Sequence, residues 1–278
     1  MSDTIPALTL FIGPSSQHGL ALNATVKGAR PALHKRGMTA YPVRIAGSAI
    51  NSVIGHRRSL EDRQGDFDQI LGEAPAFYCA LRFLSLAQNF RQTQIFHGLD
   101  QSLDNLAEVA GKADLSFVIA IDSLHDLFIT LSSANLDARI AKTDWAVLYE
   151  LSWVQSVRAI QKSFPAAGIT VLTHAGAALN SEELFRHLFG SYAHLLGSRT
   201  MLRGALNATG QAVLDRMGSD AEPDEEVARE LYQSFASRAD ADACLAQLGM
   251  DRLTHKLMLQ RFDEDLTAIA AMDNVTVI

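Results

Sequence analysis

The stretch Leu8-Thr9-Leu10-Phe11-Ile12-Gly13-Pro14-Ser15-Ser16-Gln17-His18-Gly19 decides how this 278-residue chain is read. Leu8–Ile12 has the length and apolar character of a central parallel strand covered on both faces. A helical pattern follows at once: Leu20, Val26 and Leu33 recur near helical spacing up to Arg36, and Gly37 provides a stop. Pro31 inside that span predicts a kink or a split. Strand, glycine-bounded turn and helix make the layout of a phosphate-binding loop, where backbone N–H groups at a helix N-terminus cradle an anion. The turn lacks a lysine, which such a loop normally uses to hold a transferring phosphate or sulfate end. The competing reading is a plain strand-to-helix turn; the place at the first strand of an α/β sheet speaks for a ligand site.

Downstream, strand and helix patterns alternate. Ala76–Leu81 and Leu115–Ile121 read as strands, and so does Gly168–Thr173. Between and after them, Leu99–Ala110, Ser123–Leu131 and Trp145–Phe164 read as helices, the first with Leu99, Leu103, Leu106 and Ala110 on one face. Asn180 with Glu183 three residues on predicts a capping-box start to a helix ending near Gly190. Such alternation implies a three-layer α/β fold with a mostly parallel central sheet and helices on both faces. After residue 195 the pattern turns helical. Residues 1–195 therefore read as the α/β core and 196–278 as a helical C-terminal section packed on the same domain. Gly218 to Glu226 is the linker candidate, with Pro223 placed to start the next helix. Leu253, Leu257, Phe262, Leu266 and Ile269 predict the apolar face of the last helix.

Composition narrows the function. A hydrophobic content of 48% with 20% charged residues suits a globular domain with a sizeable core. The net charge of −7, without a basic cluster, disfavours nucleic acid, while a single basic pocket for a small anion stays open. No secretory leader or membrane-length apolar run is read, so a cytoplasmic protein is expected. Cys79 and Cys244 stand far apart among apolar residues and read as buried thiols, with neither a disulfide framework nor a metal site expected.

Larger phrases carry a family resemblance. The opening Phe11-Ile-Gly-Pro…Gly19, followed by Ala29-Arg-Pro-Ala-Leu-His-Lys-Arg-Gly-Met-Thr-Ala-Tyr-Pro42, resembles the first strand, donor loop and first helix of bacterial sulfotransferase-like proteins. Phe117–Ala120, Ile169-Thr-Val-Leu-Thr-His174 and the tail Phe262–Ile278 are similar to later elements of the same family, in order. The resemblance implies a P-loop-type fold, with 3′-phosphoadenosine-5′-phosphosulfate as sulfonate donor to a hydroxyl or amine acceptor. It assigns donor binding to Gly13, Pro14, Ser15, Ser16, Gln17, Gly19, Leu20 and Thr130, with backbone amides of Ser16 to Leu20 holding the phosphosulfate. His18 is the candidate catalytic side chain.

The chain departs from the family at three motifs. The family loop reads Gly-x-x-Lys-Thr-Gly-Thr-Thr; here the lysine is missing and Leu20 and Ala21 follow the second glycine. The strand-end arginine of the 3′-phosphate motif is matched by Asp122, although the hydroxyl eight residues on survives as Thr130. An acidic pair after the later strand is replaced by Ala175-Gly176. Charge-assisted hydrogen bonds contribute roughly 1.5–3 kcal/mol each, so two lost cations remove about 3–6 kcal/mol of donor affinity. His18, Arg57 and Arg58 are the candidates to replace that charge, although a neutral imidazole does so poorly. The alternatives are an inactive sulfotransferase-fold binding or interaction module and a phosphotransferase; the missing lysine and loop hydroxyl count against the latter. A small, anionic, nucleotide-type ligand is the expected partner, with neither nucleic acid nor membrane. The bland readings are a solvated turn for His18, a packed hydroxyl for Thr130, a solvated, self-paired face for Arg57, Arg58, Glu61, Asp62 and Arg63, and solvated Asp263, Glu264 and Asp265.

Overall fold

A computed structural model describes residues 7–13, 16–41, 49–55, 58–79, 95–96, 98–133, 151–218, 222–238 and 240–278. Its frame is a six-stranded sheet in the order β2-β3-β1-β4-β5-β6. The strands are β1 (Leu8–Ile12), β2 (Thr39–Tyr41), β3 (Ala76–Cys79), β4 (Leu115–Ala120), β5 (Gly168–Leu172) and β6 (Val275–Val277). Every pairing is parallel, from Leu8 opposite both Ala76 and Leu115 to Ile169 opposite Val275. The expected mostly parallel sheet is thus wholly parallel.

Period-two alternation distributes β1 between the two cores. Leu8, Leu10 and Ile12 point into one, shared with Leu103, Phe117, Val157 and Ile269, while Phe11 points into the other with Leu22, Val26, Leu33 and Phe185. Each such fully buried leucine or phenylalanine stabilises the fold by about 1.5–3 kcal/mol. The first core is roofed by α4 (Leu99–Ala110), α6 (Trp153–Ser163) and α13 (Arg252–Ala270). The second is roofed by α1 (Gln17–Lys35) and α8 (Ser181–Phe189). Two short helices, α2 (Ala49–Val53) and α3 (Leu60–Leu71), pack on each other beside α4. Further helices are α5 (Leu124–Ser133), α7 (His174–Leu179), α9 (Ser198–Ala205), α10 (Ala208–Arg216), α11 (Glu225–Phe235) and α12 (Ala241–Leu248), with a 3-10 turn at Gly190–Leu195.

Several expectations are corrected by packing. Helix α1 is not split at Pro31, which lies on the exposed face, where water can satisfy the carbonyl that the missing N–H leaves open. Asn180 precedes α8 but makes no side-chain cap. Pro223 lies before the cap rather than in the helix, and Asp224 takes the cap by accepting from the Val227 N–H at 2.9 Å. On α13 Ile269 is buried and Phe262 and Leu266 pack partly buried against the core, as expected, whereas Leu253 is 67% exposed and Met258 and Asp265 are inside as well. Asp265, expected to be solvated, is buried because it caps α6, accepting from the Ser152 hydroxyl and the Trp153 N–H, both at 2.6 Å. Among the described residues no helix is long and apolar enough to cross a membrane.

Candidate functional site

Connections leave β1 toward β2 and β4 toward β5, in opposite directions, so the order reverses between β1 and β4. Ligands of open parallel sheets bind outside the carboxyl ends of the strands at such a point. Here the segments after β1, β4 and β5 bring together His18, Asp122, Ser123, His125, Asp126 and His174, and the C-terminal section adds Tyr232, Arg238, Cys244 and His255.

After β1 the chain turns at Gly13, whose φ is +90° and whose added Cβ would stand 3.0 Å from the Ala120 carbonyl oxygen. Only glycine suits both the conformation and the approach of β4. Helix α1 then starts at Gln17, two residues before Gly19. Ser16 is its cap: the hydroxyl accepts from the Gly19 N–H at 3.1 Å, and the Ser16 carbonyl accepts from the Leu20 N–H at 2.9 Å. Gly19 therefore lies in the first helical turn, and the amides of Gly19 and Leu20 are bonded within the helix. Gln17 reaches across to donate to the Ser237 hydroxyl at 3.1 Å. Pro14 and Ser15 lie outside the described residues, as do Arg57, Trp145 and the side chain of Thr130.

His18 is wholly buried rather than solvated. Its Nε2–H donates to the Leu172 carbonyl at 3.1 Å, leaving the Nδ1 lone pair 3.8 Å from Oδ2 of Asp122. Burial, reinforced by His174, lowers the His18 pKa to about 3. Burial and the neighbouring Asp126 raise that of Asp122 well above the carboxylate range, against the pull of Arg238 and the Ser123 amide. Their closeness suggests an ion pair, but burial favours the neutral form of each partner.

His174 faces the other way. Its Nδ1 lies 2.9 Å from the Tyr232 hydroxyl, whose oxygen accepts from the Arg238 guanidinium at 3.1 Å. Burial lowers the His174 pKa to about 4, Arg238 adds to that, and Asp126 opposes it. Burial raises the pKa of Tyr232, with Arg238 opposing. Arg238 is exposed, and its charge is felt by His18, Asp122, His125, His174 and Tyr232. Among the described residues it is the arginine whose charge acts on all five of these groups. Arg58 instead pairs with Asp66, and Arg63 donates to Glu108 and to the Asn105 carbonyl. Sequence reasoning missed Tyr232 and Arg238 because they end a helix and start a loop in a section with no motif of its own.

Gly176 is required sterically. A Cβ at 176 would stand 1.8 Å from the Ile278 carbonyl carbon, so a side chain there collides with the end of the strand that closes the sheet. Grooves of about 570 Å³ and 310 Å³ lie elsewhere, around Arg186 and Ser198, and share no residue with the crevice. Comparison with known protein families finds no match, and neither a curated protein nor a solved structure is significantly similar to the chain.

Proposed function

We propose that the chain is a sulfotransferase-like α/β protein that has lost donor-loop chemistry and binds a small anionic, nucleotide-type ligand at the carboxyl ends of β1, β4 and β5. The observation that carries this reading is the capping of α1: Ser16 takes the first-turn amide at Gly19 that a phosphate cradle would offer. His18, turned inward and neutral, supplies neither charge nor a reachable base, since a general base must come within hydrogen-bonding distance of its proton. Arg238 and the Tyr232 hydroxyl supply the charge and the polar contact that an anion needs. A cytoplasmic location belongs to the same proposal and is supported by the unpaired, buried Cys244.

A thermal-shift titration with 3′-phosphoadenosine-5′-phosphate tests it, because a ligand that prefers the folded chain raises its stability. The expected result is a saturable rise in Tm that Arg238→Ala abolishes and Arg58→Ala leaves intact. No rise at millimolar ligand would sink the anion reading. A second reading, an active sulfotransferase, is favoured by the His174–Tyr232–Arg238 line, which sets a proton acceptor and a cation beside one hydroxyl. Sulfonate transfer from 3′-phosphoadenosine-5′-phosphosulfate that is lost in Tyr232→Phe would establish it.

A further inference from the structure

Three side chains with metal-binding chemistry meet at the end of the sheet, each from a different helix. His125 stands on α5, Cys244 on α12 and His255 on α13, and the three helices pack on one another. One ligand atom from each lies within 4.8 Å of the other two. The rings of His125 and His255 are 4.5 Å apart between centroids. Tetrahedral zinc with bonds of 2.0–2.3 Å sets its ligand atoms about 3.3–3.8 Å apart, so a closure of about 1 Å, within reach of side-chain rotation, brings the set to bonding geometry.

The hydrogen bonds around His125 point to a ligand. The residue is 1% exposed, and its Nδ1 is buried without a hydrogen-bond partner. Its Nε2 side is engaged: the Ser123 hydroxyl donates to Asp126 Oδ2 at 2.6 Å, so the Ser123 oxygen, 3.2 Å from Nε2, is left to accept from it. That network fixes the tautomer with the proton on Nε2 and the lone pair on Nδ1. Asp126 Oδ2, 3.5 Å from Nε2, completes the histidine–carboxylate arrangement that orients metal-bound imidazoles. A buried polar atom with no partner is costly in a native fold and calls for an explanation. A metal ion supplies one here.

We propose that His125, Cys244 and His255 form a three-ligand Zn²⁺ site, with Nδ1 of His125, Sγ of Cys244 and a ring nitrogen of His255 bound to the metal and the fourth position open. Two imidazoles and one thiolate suit zinc, and three protein ligands leave room for a water or a substrate atom. Zinc binding ties α5, α12 and α13 together, and therefore joins the C-terminal helices to the segment that carries Asp122 and Ser123. The site stands independently of the anion reading, because none of its ligands belongs to the His174–Tyr232–Arg238 line.

The test strips the full chain with a chelator and reloads it with Zn²⁺ or Co²⁺ alone. The expected result is one metal per chain by elemental analysis, a rise in Tm, and a thiolate-to-cobalt charge-transfer band in the Co²⁺ form. Cys244→Ala should abolish that band. His255→Gln, at a half-buried position that tolerates an isosteric amide, should weaken Zn²⁺ affinity by at least about 100-fold, since losing even an outer partner costs 10–100-fold. His194→Gln, at a distant histidine, should change neither readout. Absence of stoichiometric metal, a band that persists in Cys244→Ala, or unchanged affinity in His255→Gln would overturn the proposal.

Discussion

The segments after β1 and β5 begin alike and end differently. Ser16-Gln17-His18-Gly19 and Thr173-His174-Ala175-Gly176 each place a hydroxyl cap that accepts from the N–H of a glycine three residues on, at 3.1 and 3.0 Å. Each carries a histidine in the first helical turn, and the two rings meet edge to face with centroids 5.8 Å apart. Yet His18 spends its Nε2–H on the Leu172 carbonyl, deep in the fold, whereas His174 is linked through Tyr232 to the exposed Arg238. The same local chemistry thus closes one side of the crevice and opens the other. The hydrogen-bonded line that reaches an exposed cation lies at the seam between β5 and the C-terminal section.

The sharpest way to break the comparison is at the glycines. Gly176→Ala drives a methyl group into the main chain of Ile278, where only backbone movement can relieve the clash. We expect a loss of about 4 kcal/mol in urea unfolding, the range reached by severe backbone conflicts. A loss under about 1 kcal/mol would mean that the β5–β6 seam is not closed as described.

Acid sensitivity separates the two histidines next. Both have folded pKa values below the ordinary 6.5, His18 at about 3 and His174 at about 4. Below 6.5 the unfolded chain takes up a proton that the folded chain refuses, so stability is full above that pH and falls as the pH drops toward the folded values. Each histidine contributes a slope of up to about 1.4 kcal/mol per pH unit. The groups facing His18 are Asp122, His174 and Arg238; those facing His174 are Tyr232, Arg238 and Asp126. His18→Gln should remove a slope reaching down to about pH 3, and His174→Gln one that ends near pH 4. Equal slopes in wild type and both variants, measured by urea unfolding between pH 7 and 3, would refute the assignment.

The caps give the smallest effect. Ser16→Ala and Thr173→Ala should each cost about 1 kcal/mol, the usual worth of a hydroxyl N-cap. A Ser16→Ala protein as stable as wild type would show that the Gly19 amide is not committed to its cap, restoring the first loop as an anion cradle.

Much of the frame was legible because burial writes itself into short apolar runs. Leu8–Ile12 was read to the residue, and Leu115–Ile121 and Gly168–Thr173 to within one. On α13 the inward Phe262, Leu266 and Ile269 are legible but Asp265 is not, because helical periodicity ranks side chains by hydrophobicity alone. Asp265 is inside on account of two donors, Ser152 and Trp153, more than a hundred residues away in sequence. The loop after β1 reads either as a phosphate cradle or as a plain turn, because the sequence pattern does not distinguish a serine that waits for a phosphate from one that caps its own helix.

From sequence alone came the alternation of strands and helices, the strand-glycine-helix opening, the missing lysine and the absence of a basic cluster. These are local facts, set by side-chain size, hydropathy and backbone freedom within a few residues. The tertiary structure decided the rest: that His18 faces inward, that Arg238 reaches Tyr232, and that His125, Cys244 and His255 meet. Those outcomes depend on distant segments sharing one space, where burial sets protonation and each polar atom must find its partner.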